Sequence, residues 1–171
     1  MISTRNLTIN SLLLALLCVS SWISISIPFG AITGTTFTLC LIALIRPPKD
    51  TLIIIIAYLI MGAIGLPVFT AGGGIAKFIS PFAGYYYSWP IAFPILSHFA
   101  KKTNKFWAKY LLTLAITLPI IYGMGAAGLI ISGKNSFYLA TFGQLIYLPG
   151  DILKYFVALV IAQQLEIIYK K

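Results

Sequence analysis

The chain has 171 residues, 60% of them hydrophobic and only 9% charged, and its three acids, Asp50, Asp151 and Glu166, stand against twelve Lys and Arg for a net charge of +9. This balance lies outside soluble globular usage and inside the integral-membrane class. The basic residues are spread between long apolar runs instead of being gathered on one face, which argues against a nucleic-acid partner and for membrane topology.

Between Arg5 and Arg46 lie forty residues without a charge. As one helix they would reach about 60 Å, twice the roughly 30 Å hydrocarbon thickness. The segment "IPFGAITG" at residues 27–34 therefore reads as a turn between two spans, expected at residues 7–26 and 32–45. The second is short, because "TFTLCLIALI" must borrow residues from the turn to complete a crossing. The first apolar run outlasts a signal-peptide core and has no small-residue site followed by a polar start, so an uncleaved helix is expected. Further charge-free runs place spans at residues 51–65, 84–100 and 108–132, and a last helix follows at 151–169. The expected fold is an all-α integral membrane protein, a single domain of six transmembrane helices over residues 1–171.

Orientation follows from the cations. Arg5, Arg46, Lys49, Lys101, Lys102, Lys105, Lys109, Lys170 and Lys171 fall on one side of this arrangement, and Lys77, Lys134 and Lys154 on the other. An excess of Lys and Arg marks the cytoplasmic side, so both termini are expected in the cytoplasm. The outer connections are longer and richer in Gly, Pro and aromatic residues, which points to a ligand arriving from outside. Cys18 and Cys40 lie apart within apolar runs, and the single His98 precedes "AKKTNK". That leaves no disulfide framework, no metal-ligand set and no nucleophile–base pair, so neither an enzyme nor a cofactor is expected.

Two segments stand out. In "YLPGDILKYF", Pro149 and Gly150 read as loop residues and Asp151 as standing near the N-cap of the last helix, where a carboxylate satisfies free amides and the helix dipole. Lys154 lies on the same face one turn on, free to snorkel to the interface. The other reading is a ligand pair, since an ionisable residue below the interface costs about 2.5 to 3.5 kcal/mol and is by default a functional candidate. The carboxylate accepts from N–H groups, and the ammonium donates to C=O or carboxylate oxygens. The second segment is "GLPVFTAGGGIAKFISPFAGYYYSWP", residues 65–90. Gly72, Gly73 and Gly74 permit close backbone approach, and Tyr85, Tyr86, Tyr87 and Trp89 supply flat amphipathic surface. It lacks the pattern of a phosphate loop. An interfacial aromatic belt and a glycine-rich lid over a pocket both fit it.

The order of "GLPVF", a glycine cluster, "SPFAGYY" and "LPGDILK" resembles the BioY family, the biotin-specific S components of energy-coupling factor (ECF) transporters. Where the family typically reads GPTGGY this chain has Ser80, Pro81, Phe82, Ala83, Gly84 and Tyr85, so Pro81, Gly84 and Tyr85 match. The resemblance implies an S-component-like bundle with outer loops closing over a ligand pocket. It implies biotin as ligand, with Asp151 and Lys154 as binding residues, Phe69, Tyr85 and neighbouring aromatics covering the ring, and Gly72, Gly73 and Gly84 in the closing loop. It also implies a membrane coupling subunit and two cytosolic ATPases as partners, with toppling in the bilayer to release the ligand, and a location in the cytoplasmic membrane. The first helix offers a docking face at Ser11 and Ala15, small residues four apart, although packing within the chain explains such spacing equally, as it does for Gly123 and Ala127. An S component for another vitamin and a stand-alone carrier of a small anionic solute are the remaining alternatives.

Overall fold

The computed structural model describes residues 4–27, 30–70, 72–133 and 137–169. Lys134, Lys170 and Lys171, used above for orientation, lie outside the described residues. Helix α1 runs Thr4–Trp22, followed by strands β1 (Ser24–Ile27) and β2 (Gly30–Thr33) and helices α2 (Thr35–Ile45) and α3 (Pro48–Ala63). A one-turn helix α4 (Ala76–Ile79) interrupts the next connection before α5 (Ala83–Ala100) and α6 (Phe106–Ile131). Helix α7 (Phe137–Phe142) and a 3-10 turn (Gly143–Tyr147) lead into α8 (Leu148–Tyr169).

The fold is mostly helical but not all-α. Where a simple turn was expected, β1 and β2 form an antiparallel hairpin with Ser24 opposite Thr33 and Ile25 opposite Ile32. The alternation "SISI" explains it, because β-branched residues at period two suit a pleated strand better than a helix. The hairpin ends α1 at Trp22 and delays α2 to Thr35, so α2 keeps eleven residues and spans only about 16 Å. By length and composition, two helical stretches among the described residues suffice to cross a membrane, residues 106–131 and 138–166.

Short as it is, α2 is the centre of the molecule. Thr35, Thr38, Leu39, Cys40, Leu41, Ile42, Ala43 and Leu44 are all buried, as expected of a helix that is apolar all round. Helices α1, α3, α5 and α8 pack around it, contributing Leu17, Ile55, Phe93, Leu96 and Ala158 to the core. Helix α6 instead packs chiefly on α5 through glycines. A Cβ on Gly84 would fall on the Met124 carbonyl, and one on Gly128 would crowd the Pro81 carbonyl and Gly84. Small residues thus let two backbones come together, the usual device where lipid removes the hydrophobic drive for helix association.

One end of the bundle is tied by ions. Arg46 at the end of α2 pairs with Asp50, donates to Asn6 of α1, and accepts from Ser97 of α5 through its carbonyl. Lys109 near the start of α6 pairs with Glu166 near the end of α8 at 3.1 Å. The helix ends that carry Arg5, Arg46, Lys49, Lys101 and Lys109 therefore share one end. His98 sits there exposed, with its ring edge-on to Phe99.

Candidate functional site

At the opposite end lies a cavity of about 400 Å³, within the 300–1,000 Å³ range of small-molecule sites. Four regions converge on it. The hairpin and the start of α2 give Ile32, Thr33, Thr35 and Thr36. Helix α3 and the connection after it give Tyr58, Phe69, Thr70, Lys77 and Ser80. Helices α5 and α6 give Tyr85, Tyr86, Trp89, Ile121 and Tyr122, and the chain around the start of α8 gives Tyr147, Asp151 and Lys154.

Helix α8 begins three residues before Asp151, so Pro149 and Gly150 belong to its first turn rather than to a loop. Proline is tolerated there because the first-turn N–H groups have no intrahelical acceptor. Asp151 therefore stands in the first turn of the helix, near its N-terminus as expected, and both its oxygens face other side chains. Oδ1 accepts from Lys154 Nζ at 3.0 Å and from the Thr36 hydroxyl at 3.3 Å; Oδ2 accepts from the Tyr122 hydroxyl at 2.9 Å. Lys154 also donates to Thr36 Oγ1 at 3.1 Å. The ammonium is turned inward to this cluster and does not snorkel outward. Asp151 is only 5% exposed, and a carboxylate so enclosed needs its partners. A carboxylate has about four acceptor sites, so three bonds leave roughly one for a ligand N–H.

The rest of the wall is aromatic and fixed from behind. Phe69 packs edge-on to Tyr58, with ring centroids 5.1 Å apart, and against Tyr86 at 4.8 Å. Its backbone is held by α1 and α3: Ser21 Oγ and the Tyr58 hydroxyl both donate to the Val68 carbonyl, Trp22 Nε1 donates to the Pro67 carbonyl, and Thr70 donates to the Ser21 carbonyl. Tyr85 donates to Gln144 Oε1, and Gln144 in turn donates to the Ala140 carbonyl, which ties α5 to the chain before α8.

Of the residues anticipated from sequence, Phe69, Tyr85, Asp151 and Lys154 come together around one cavity. Gly72, Gly73 and Gly84 do not line it. Gly72 takes a φ of 94° to close the turn that pairs it with Phe69, a backbone state glycine reaches without steric penalty. Gly73 lies so close to the Leu66 carbonyl that a Cβ has no room, and Gly84 belongs to the α5–α6 contact. Their contribution is to shape the wall. Sequence reasoning passed over Thr36, Tyr122, Lys77 and Tyr58. A signal existed for two of them: Thr36 sits in "GTTFT" at the start of a helix, and Tyr122 is the lone phenol of the apolar run 111–131. Ser11 and Ala15 are exposed on α1, and Gly123 and Ala127 on α6, so neither small pair is used in packing within the chain.

The sequence profile of the BioY family matches residues 1–171. A probable biotin transporter BioY of Pyrococcus horikoshii is 34% identical over 95% of this chain and 96% of its own length. The biotin transporter BioY of Thermotoga maritima is 30% identical over 89% of this chain and 90% of its own length. The crystal structure of the S-component for biotin from an ECF-type ABC transporter shares the fold, with a TM-score of 0.90 at 23% identity, over 97% of this chain and 95% of that one. Matched by the family profile along its whole length, and by a relative of near-equal length, this chain belongs to the BioY family.

Proposed function

We propose that this protein captures biotin at the outer face of the cytoplasmic membrane and delivers it inward as the substrate-binding subunit of an ECF-type transporter. The observation that carries the reading is the buried Asp151, bonded to half-buried Lys154 and Thr36, at the end of an aromatic cavity in a chain of the BioY family. Biotin has two ureido N–H donors, a ureido oxygen, an apolar thioether ring and a valerate carboxylate. Asp151 accepts from a ureido N–H, while Lys154, held by Asp151 and Thr36, donates its remaining N–H to the ureido oxygen. Phe69, Tyr85, Tyr86 and Trp89 cover the ring, apolar burial gives most of the affinity, and the polar groups give discrimination.

Six helices, α1, α2, α3, α5, α6 and α8, cross the membrane in this reading, α2 with the hairpin above it. The ionic end is cytoplasmic and the cavity end external, as the excess of Lys and Arg at the ionic end supports. The chain has no nucleotide-binding motif, so energy comes from a coupling subunit and cytosolic ATPases. Exposed Ser11 and Ala15 on α1 support that face as the docking surface. Biotin is cargo, and neither catalysis nor a cofactor is invoked.

Labelled biotin offered to vesicles holding this protein alone tests the reading. Saturable retention that thiamine and riboflavin do not displace is expected. Retention no greater than in empty vesicles contradicts it, and displacement by another vitamin moves the protein to a different substrate.

A further inference from the structure

The cavity contains a third charge that the Asp151–Lys154 pair leaves unanswered. Lys77 of α4 lines it, and its ammonium donates to the Thr70 carbonyl at 3.2 Å. That bond uses one of three ammonium donors. Among the described residues the ion pairs are Arg46–Asp50, Lys109–Glu166 and Lys154–Asp151, so no described carboxylate stands within 4.0 Å of Lys77. With Asp151 and Lys154 balancing each other, the wall keeps one positive charge, at Lys77.

The position of this lysine is fixed by its neighbours. Its own N–H donates to the Gly74 carbonyl and its carbonyl accepts from the Ser80 hydroxyl. The next residue, Phe78, packs on Phe69 and Tyr86 with ring centroids 5.9 and 5.7 Å apart, anchoring α4 to the aromatic wall.

A ligand carboxylate has two cations to choose between, and Asp151 decides the choice. Bound at about 3 Å from Lys154 it would stand at most about 6 Å from Asp151 Oδ1, and since Coulomb energy falls as 1/r the repulsion removes about half the attraction or more. At Lys77 no described carboxylate is paired with the ammonium to subtract from the attraction in this way. We propose that Lys77 binds the carboxylate of the ligand, leaving Asp151, Lys154 and Thr36 to its uncharged donors and acceptors. The site thus has two poles, and it selects small ureido-type ligands whose acid group is free over those in which it is amidated or esterified. This inference rests on the biotin reading given above.

Biotin and biotinamide, the same ring with an uncharged tail, separate the two claims when each is titrated into purified wild type, Lys77→Gln, Lys77→Arg and Lys154→Gln. Wild type is expected to prefer biotin by about tenfold or more, the scale of one charge-assisted contact. Lys77→Gln should lose most of that preference while binding biotinamide like wild type, which also shows that it is folded. Lys77→Arg should keep the preference, and Lys154→Gln should weaken both ligands alike. The proposal is overturned if Lys77→Gln retains the wild-type preference, if Lys154→Gln abolishes it, or if wild type binds both ligands equally. Failure of wild type to bind either ligand overturns the biotin reading itself.

Discussion

The Tyr122 hydroxyl of α6 donates to Asp151 Oδ2 at 2.9 Å, joining α6 to α8 across the cavity. It holds the far side of a carboxylate whose other oxygen is shared by Lys154 and Thr36. Removing this donor leaves a buried, charged acceptor short of one partner. A hydrogen bond to a charged group contributes about 1.5–3 kcal/mol, so Tyr122→Phe should weaken biotin binding roughly tenfold with the fold intact. Fluorescence titration of the variant in detergent measures this, and unchanged affinity would remove Tyr122 from the site.

Breaking the ion pair from one side leaves the other charge uncompensated. For a buried pair this destabilises by about 3–5 kcal/mol, whereas replacing both partners with neutral residues is often tolerated. Lys154→Met is therefore expected to lower the melting temperature clearly. The double variant Asp151→Asn with Lys154→Met should recover much of that loss without recovering biotin binding. Thermal melts on the three proteins, run beside ligand titrations, separate stability from recognition. Full recovery of binding in the double variant would show that the charges serve the fold alone.

Gly84→Ala addresses the scaffold. Its Cβ meets the Met124 carbonyl, which belongs to the backbone and has no rotamer to yield. Overpacking of this kind costs about 1–3 kcal/mol, so the variant should melt several degrees below wild type, and α5 and α6 should separate. A melting temperature equal to wild type contradicts the close α5–α6 approach.

The exposed Ser11 and Ala15 face predicts a dissociation of functions. Ser11→Trp is expected to bind biotin within about twofold of wild type, because Ser11 is far along α1 from Ser21 and Trp22, which hold the segment behind the cavity wall. Co-purification with the coupling subunit should be lost, since a bulky ring blocks close helix contact. Retained co-purification would place docking elsewhere.

Much of this architecture was legible in the sequence because apolar run length and charge placement are local signals. The helix starts at residues 48, 83 and 106 lie within three residues of the expected spans. The hairpin at residues 24–33 was missed, since "SISIPFGAIT" reads as part of an apolar run unless its period of two is weighed against helix length. The site divided in the same way. Asp151 and Lys154 announced themselves as charges in an apolar chain, but Thr36 and Tyr122 are ordinary residues for membrane helices. Only the packing of α2 and α6 against α8 brings them to the carboxylate. The glycines of residues 72–74 drew attention to the right loop: they build the turn through positive φ at Gly72 and Gly74 and close backbone approach at Gly73, and Phe69, Thr70 and Lys77 on either side of it face the cavity.

Isothermal titration of purified wild type and Asp151→Asn with biotin tests the central claim most directly. The account predicts one site per chain, with a dissociation constant below about 1 μM for wild type, or more than about 8 kcal/mol of binding free energy. Asp151→Asn should weaken binding at least about tenfold, because an amide group replaces a charged acceptor. Wild-type binding weaker than about 1 mM, or equal affinity in the two proteins, would contradict it.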